Sequence, residues 1–474
     1  VSTASAAAIT LLVLALAGAL PVLALIGPRL VAFPLFPLAG AVLAAAAAGC
    51  SIILVGTLLQ WFVVWAVVGA LAAGAELLRR PDKARALGDR LRHRVEPPFL
   101  IGGAVIVATA AWTLRPLRVP AVGFDTRAIW LLHARWLLQG HRFEYAAIRN
   151  PFLVVSHPAY PPLVSAVMAL AWRLTGTSSD RIAVVMVALL NACALAVAAW
   201  SLLEAGRLGA VGLGLAGARR RILLGVAVVA AGLLTLLTGG LNGIFGTNGY
   251  ADPLWSLGAV AVVMYGLVLT PTRSNLGVVA LMAAVAGLTK VEGIAVAMLL
   301  LLVVATRLFL RRTATGGSRR PPVIAAVGGV VALAVWPLTT LIVGVPRDPS
   351  LSGSRDGSLA NRAHHTLSAM EPHLHVVLLA VICGLLGLLV KPVRQRIGLG
   401  NDLWAWAALV GALIVLGGAY VFGAGDVELW LATSVNRTTI FVALLAWWIV
   451  SGWAVCGAGA VLVAERVPEQ VPAA

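Results

Sequence analysis

Five short patterns hold the residues of this sequence that could carry chemistry, and each sets a charged or hydrogen-bonding group at a helix boundary. In Gly123-Phe124-Asp125-Thr126-Arg127-Ala128-Ile129-Trp130, Asp125 stands immediately before an amphipathic stretch. A carboxylate there either caps the helix by accepting backbone N–H bonds or, with one oxygen free, acts as a general base for an attacking hydroxyl. Ser156-His157-Pro158-Ala159-Tyr160-Pro161-Pro162 is a proline-dense turn. It reads either as a rigid entry turn with an interfacial Tyr160 or as a site where His157 binds a phosphate or a sugar hydroxyl. In Asn248-Gly249-Tyr250-Ala251-Asp252-Pro253, Asp252 has the form of an N-cap before proline. Thr289-Lys290-Val291-Glu292-Gly293 interrupts two apolar runs with a cation and an acid. Charges at such a boundary need solvent or a partner, so a functional role is the default, with Lys290 as an anion site. Ser434-Val435-Asn436-Arg437-Thr438 opens the last apolar run. Arg437 there either snorkels to lipid headgroups or forks the oxygens of a phosphate.

These residues must be positioned by a membrane bundle. The chain of 474 residues is 61% hydrophobic and 11% charged, with a mean hydropathy of +0.98, far above what a water-soluble core needs. Apolar runs recur that are long enough to cross a ~30 Å hydrocarbon layer as helices, the form that pairs its own backbone groups. About thirteen spans are expected, near 8–27, 31–49, 52–77, 98–117, 182–203, 222–238, 253–270, 275–289, 292–306, 322–344, 373–390, 403–422 and 437–463. The first lacks a basic stretch before it and runs directly into more apolar sequence, so it reads as a retained span.

The formal charge of +17 is a topology signal here, and no nucleic-acid partner is expected. Its basic residues collect in short loops at 79–94, 219–221, 307–320 and 391–396, which the positive-inside rule places in the cytoplasm. Two outer segments follow. The first, 119–181, is expected to carry two interfacial helices. One is 126–138, with Ile129, Trp130, Leu137 and Leu138 apolar and Arg127, His133 and Arg135 polar; the other is 163–174, laid along the membrane surface. The second, 346–372, is polar and rich in Gly and Ser, hence mobile. Gly212–Gly217 and Gly316-Gly317 read as linkers. Cys50, Cys193, Cys383 and Cys456 lie in apolar runs without pairing or metal-ligand spacing and read as packing residues. Arg outnumbers Lys by 32 to 3, a hint of a GC-rich bacterial genome.

In their order along the chain the patterns resemble the bacterial membrane glycosyltransferases of the GT-C superfamily. The run comprises Asp125 through Trp130, His133-Ala134, Gly140, His157-Pro158-Ala159-Tyr160-Pro161, Gly249-Tyr250-Ala251-Asp252, Thr289-Lys290-Val291-Glu292-Gly293 and Arg437. The nearest branch is the one related to polyprenyl-phosphate-mannose-dependent, dolichyl-phosphate-mannose-type mannosyltransferases. The resemblance divides the chain into an N-terminal extension of about three spans at 1–97, a GT-C-like domain at 98–463 and a cytoplasmic tail at 464–474. It implies an all-α, polytopic cell-membrane enzyme with its site on the extracytoplasmic face. That enzyme moves mannose or a pentose, with inversion, from a polyprenyl-phosphate donor to an envelope glycan or lipid, and no divalent metal is expected. Asp125 takes the position of the catalytic base, and Asp252, Lys290, Glu292 and Arg437 line the same cavity, with Arg127, Tyr160 and Tyr250 beside them. Lys290, Arg437 and His157 are the groups for the donor phosphate, since positive charge stabilises the departing group most in the transition state. The branch usually reads His-Pro-Asp-Tyr-Pro where this chain has Ala159. If that acid shares the catalytic work, Glu144 is the alternative carboxylate. A lipid-linked sugar flippase and a non-catalytic envelope-assembly subunit are the alternative functions.

Overall fold

The computed structural model describes residues 2–79, 97–115, 122–315, 320–346, 356–391 and 399–464. Among them no β-strand occurs, and all extended regular structure is helical. In chain order the α-helices are α1 (Thr3–Ile26), α2 (Ala32–Ile53), α3 (Leu58–Arg79), α4 (Pro97–Thr113), α5 (Leu132–Gln139), α6 (His141–Ile148), α7 (Leu163–Thr175) and α8 (Asp180–Gly212). They continue as α9 (Gly217–Thr247), α10 (Asp252–Val263), α11 (Arg273–Thr289), α12 (Val291–Thr315), α13 (Arg320–Val343), α14 (Leu359–Leu389), α15 (Leu399–Phe422) and α16 (Val427–Ala464). π-Helical turns at Thr126–Leu131 and Met264–Val268 lead into α5 and extend α10.

Nine helices among the described residues are long and apolar enough to cross a membrane, and they coincide with nine of the expected spans. The other four expected spans fall on the shorter apolar helical stretches Phe99–Trp112, Asp252–Val268, Arg273–Thr289 and Gly329–Val343. Large apolar side chains such as Leu71, Val107, Ile342 and Leu389 stand exposed around the bundle, which in water would be an aggregation surface and in lipid is a solvated one. The chain is therefore an all-helical, multi-pass membrane protein. α1 and α2 pack into the same core as α7, α8 and α11.

Contacts sort the loops into two ends. At one end, Arg29 bonds Asn275, Ser274 bonds the Ile26 carbonyl, Arg273 pairs with Glu76 and Arg307 bonds the Gly266 carbonyl. At the other, Ser51 meets Glu144, Trp336 bonds the Ala159 carbonyl, and all the charged motifs meet. The basic stretches at 80–94 and 392–396, Gly316-Gly317 and the tail beyond 464 lie outside the described residues.

Four expectations change at the motif end. α7 does not lie against lipid: Leu163 through Trp172 are buried without interruption, because α2, α5 and α8 close around the helix. His133 is buried, not on a polar face. It lies three and four residues from Trp130, Ile129 and Leu137, so helical spacing places it with them. It stacks on Trp136 at 4.5 Å, and burial pushes its imidazole down to about 3, so it is tolerated as a neutral ring.

The outer segment 346–372 is helical from Leu359 onward, with residues 347–355 outside the described ones. Ser358 accepts the Asn361 N–H to start α14. Arg362, fully buried, donates to the carbonyls of Tyr420, Val421, Gly423 and Gly425. That guanidinium satisfies the orphan acceptors at the end of α15 and anchors α14 over it. Finally, the last helix begins at Val427, because Asp426 accepts the N–H groups of Glu428 and Leu429. At 38 residues it runs ~57 Å, against ~30 Å of hydrocarbon. Arg437 thus lies about three turns inside α16, on a part of the helix that serves as a wall.

Candidate active site

The local sequence brings the five patterns together through backbone contacts. Asn248 offers its carbonyl to the Gly123 N–H at 3.1 Å and to the Thr126 hydroxyl at 2.8 Å. Gly249, at φ 86°, makes the turn that lets this happen; a side chain there would strike Thr126 as well as strain the backbone. Asp125 is thereby held over the start of α10, where Asp252 is the first helical residue. Lys290 is a single extended residue between α11 and α12, so the chain reverses at the cation and delivers Glu292 two residues later.

Neither carboxylate is the cap that its sequence position allowed. No side-chain capping bond forms at Asp125, and the residue preceding α10 is Ala251. Instead the five charges form one chain. Asp125 Oδ2 accepts from Arg437, and Arg437 lies 3.7 Å from Asp252 Oδ2. Lys290 Nζ then donates to Asp252 Oδ1 at 2.9 Å and to Glu292 Oε1 at 3.1 Å. Three carboxylates alternate with two cations, leaving one excess negative charge. Exposure rises toward the ends: Lys290 and Asp252 keep 5% and 7% of their side-chain surface, Arg437 12%, Asp125 24% and Glu292 25%. Asp252, at the middle of the chain, does not line the cavity that the other four charges border.

That cavity has a volume of about 440 Å³, within the range of ligand sites. Its polar side is Asp125, His157, Tyr160, Lys290, Glu292 and Arg437, and its apolar side includes Ile129, Val291, Ala295, Val415 and Leu416. Tyr160 stacks between Trp130 at 5.6 Å and His157 at 4.8 Å. His157 has φ 51°, the sole positive φ outside glycine among the described residues, a conformation that persists only where neighbours hold it. Asp252 lies behind the charged rim, and the Tyr250 ring supports the Arg437 guanidinium at 5.2 Å. Arg127, by contrast, is exposed and does not line the cavity. Ala159 does not line it either.

Sequence reading missed the α16 wall. Trp430, Thr433, Ser434 and Thr438 line the cavity beside Arg437, and Tyr420 shares hydrogen bonds with Ser434 at 2.8 Å and Thr438 at 2.9 Å. Their spacing of three and four residues is a helical stripe, legible only once α16 is started before residue 430.

Glu144 is not with this group. It is buried beside a small void that it shares with His133, Pro158 and Tyr160, and Ser51 of α2 donates to its Oε2 at 3.1 Å. Burial pushes its carboxyl up from 4.5 to about 8, with the Ser51 bond pulling the other way. The folded chain therefore holds a proton there that the unfolded chain has released, and the stability this confers is lost as pH rises from about 4.5 through about 8. Glu144→Gln, which needs no proton, should melt progressively higher than wild type across that window. A melting difference that does not change with pH would show that Glu144 is ionised in the fold.

Comparison with protein-family models, with curated proteins and with solved structures gives no match to this chain.

Proposed function

We propose that this chain is a cell-membrane glycosyltransferase of the GT-C type. It crosses the bilayer thirteen times, with the motif end on the extracytoplasmic face, and moves a mannose-like or pentose sugar from a polyprenyl phosphate to an envelope glycan or lipid. The observation that carries the reading is a cavity with a charged side holding Asp125 and Arg437 and an apolar side built from the bundle helices. A lipid-linked sugar has the same division. The four basic loops support the orientation.

In this reading the acceptor oxygen attacks the anomeric carbon from the face opposite the phosphate, and its proton passes to the Asp125 carboxylate. The bond from the anomeric carbon to the phosphate oxygen breaks, and the polyprenyl phosphate leaves with the electron pair. One displacement gives inversion. Arg437, at the cavity wall, steadies the charge that grows on the leaving oxygens. Glu144 stands apart from this step, in a separate buried setting. A flippase would call for charges near the bilayer midplane; here four of the five charges, all but Arg437, stand at loops or helix starts at one end.

Purified protein in proteoliposomes, given polyprenyl-phosphate mannose or pentose and an envelope glycan fraction, should release polyprenyl phosphate and a glycoside of inverted configuration, both read by mass spectrometry. Protein-dependent movement of the intact donor between leaflets, without turnover, would replace this reading with the flippase.

A further inference from the structure

We propose that an anion entering the cavity exchanges with Asp125 for Arg437, so that the Asp125 carboxylate is unlatched only in the anion-loaded site. This rests on the donor reading above, and it arises from how the five charges are shared. Neither cation waits unpaired for a phosphate. Lys290 is the deeper one and is held on both sides, by Asp252 at 2.9 Å and Glu292 at 3.1 Å. Arg437 is more exposed, lines the cavity and engages Asp125 through one oxygen only. An anion therefore meets Arg437.

Of the two carboxylates on that guanidinium, Asp252 cannot leave easily, since it is buried and also bound by Lys290. Asp125 can. It is a quarter exposed, its contact is a single pair, and open cavity lies beside it. Charge favours the same exchange: with three carboxylates against two cations, an anion added without displacement sits against an excess of negative charge. A phosphate offers the planar fork of Arg437 two oxygens where Asp125 gives it one. After the exchange, Arg437 bridges the anion and Asp252, while Asp125 faces the acceptor with its oxygens released. The base is thus free only when there is a leaving group for it to serve.

The test is binding of farnesyl phosphate to the full chain in detergent, for wild type, Asp125→Asn, Asp125→Ser and Arg437→Gln. Deleting the competitor should tighten binding about tenfold or more in both Asp125 variants, and Arg437→Gln should abolish it. If wild type binds and the Asp125 variants bind equally or more weakly, the exchange is wrong while the donor reading stands. If Arg437→Gln binds like wild type, the anion is held elsewhere and the exchange is again wrong. If no form binds farnesyl phosphate, the lipid-phosphate reading fails, and if none binds inorganic phosphate either, the exchange fails with it. Inorganic phosphate in the same assay separates the sources: the same preference for the Asp125 variants supports the exchange with a free anion sufficing.

Discussion

Replacing Asp125 with Asn should lower the rate of sugar transfer by a factor of about 10² to 10⁴, with wild-type amounts of protein in the membrane. Asn keeps the shape and can still present an oxygen to Arg437, so the loop docked on Asn248 has no reason to move; what is removed is the basic oxygen. The same substitution takes away the negative partner of Arg437, so donor affinity should rise as turnover falls. That opposite movement of donor affinity and kcat, with Kd and kcat falling together, separates a base from a structural residue, whose loss would weaken both binding and turnover. Full retention of transfer by Asp125→Asn would reduce Asp125 to a tether for Arg437. Base chemistry would then have to come from Glu292, the other carboxylate at an end of the charged chain and on the cavity wall.

The bundle was legible in the sequence because hydropathy is a local property: a run of twenty apolar residues announces its own fate. The site was legible only as parts. Asp125 and Arg437 are 312 positions apart, and nothing in either pattern says that one will hold the other. Asp252 before Pro253 carried the signature of a cap, yet its carboxylate turned to Lys290, because a buried cation draws a carboxylate more strongly than an N–H group that water or a ligand can serve. Arg437 was placed at a span entrance because hydropathy marks where lipid begins, whereas a helix begins where its backbone is capped, at Asp426. Arg362 sat in a stretch of loop-like composition, and only the carbonyls at the end of α15, some sixty residues away, explain its burial. Apart from the local cap at Asp426, the decisive partner in each case is remote in sequence.

Removing Lys290 should be the most destabilising single change at the site. Its side chain is 5% exposed, and the ammonium lies between Asp252, 7% exposed, and Glu292. Lys290→Met leaves Asp252 buried with Arg437 3.7 Å away as its remaining cation, and stranding one half of a buried pair costs about 3–5 kcal/mol. The melting temperature in detergent should fall accordingly. Asp252→Asn in the same chain should recover more than half of that loss, because the stranded charge is then gone. Groups that act on each other give such a non-additive cycle, and independent ones do not. Equal and additive losses would mean that the pair is not mutually supporting. If Lys290→Met kept its stability but lost farnesyl phosphate, Lys290 would be the anion ligand that its sequence position first suggested. The exchange at Arg437 would then lose its main argument, that the deeper cation is already taken.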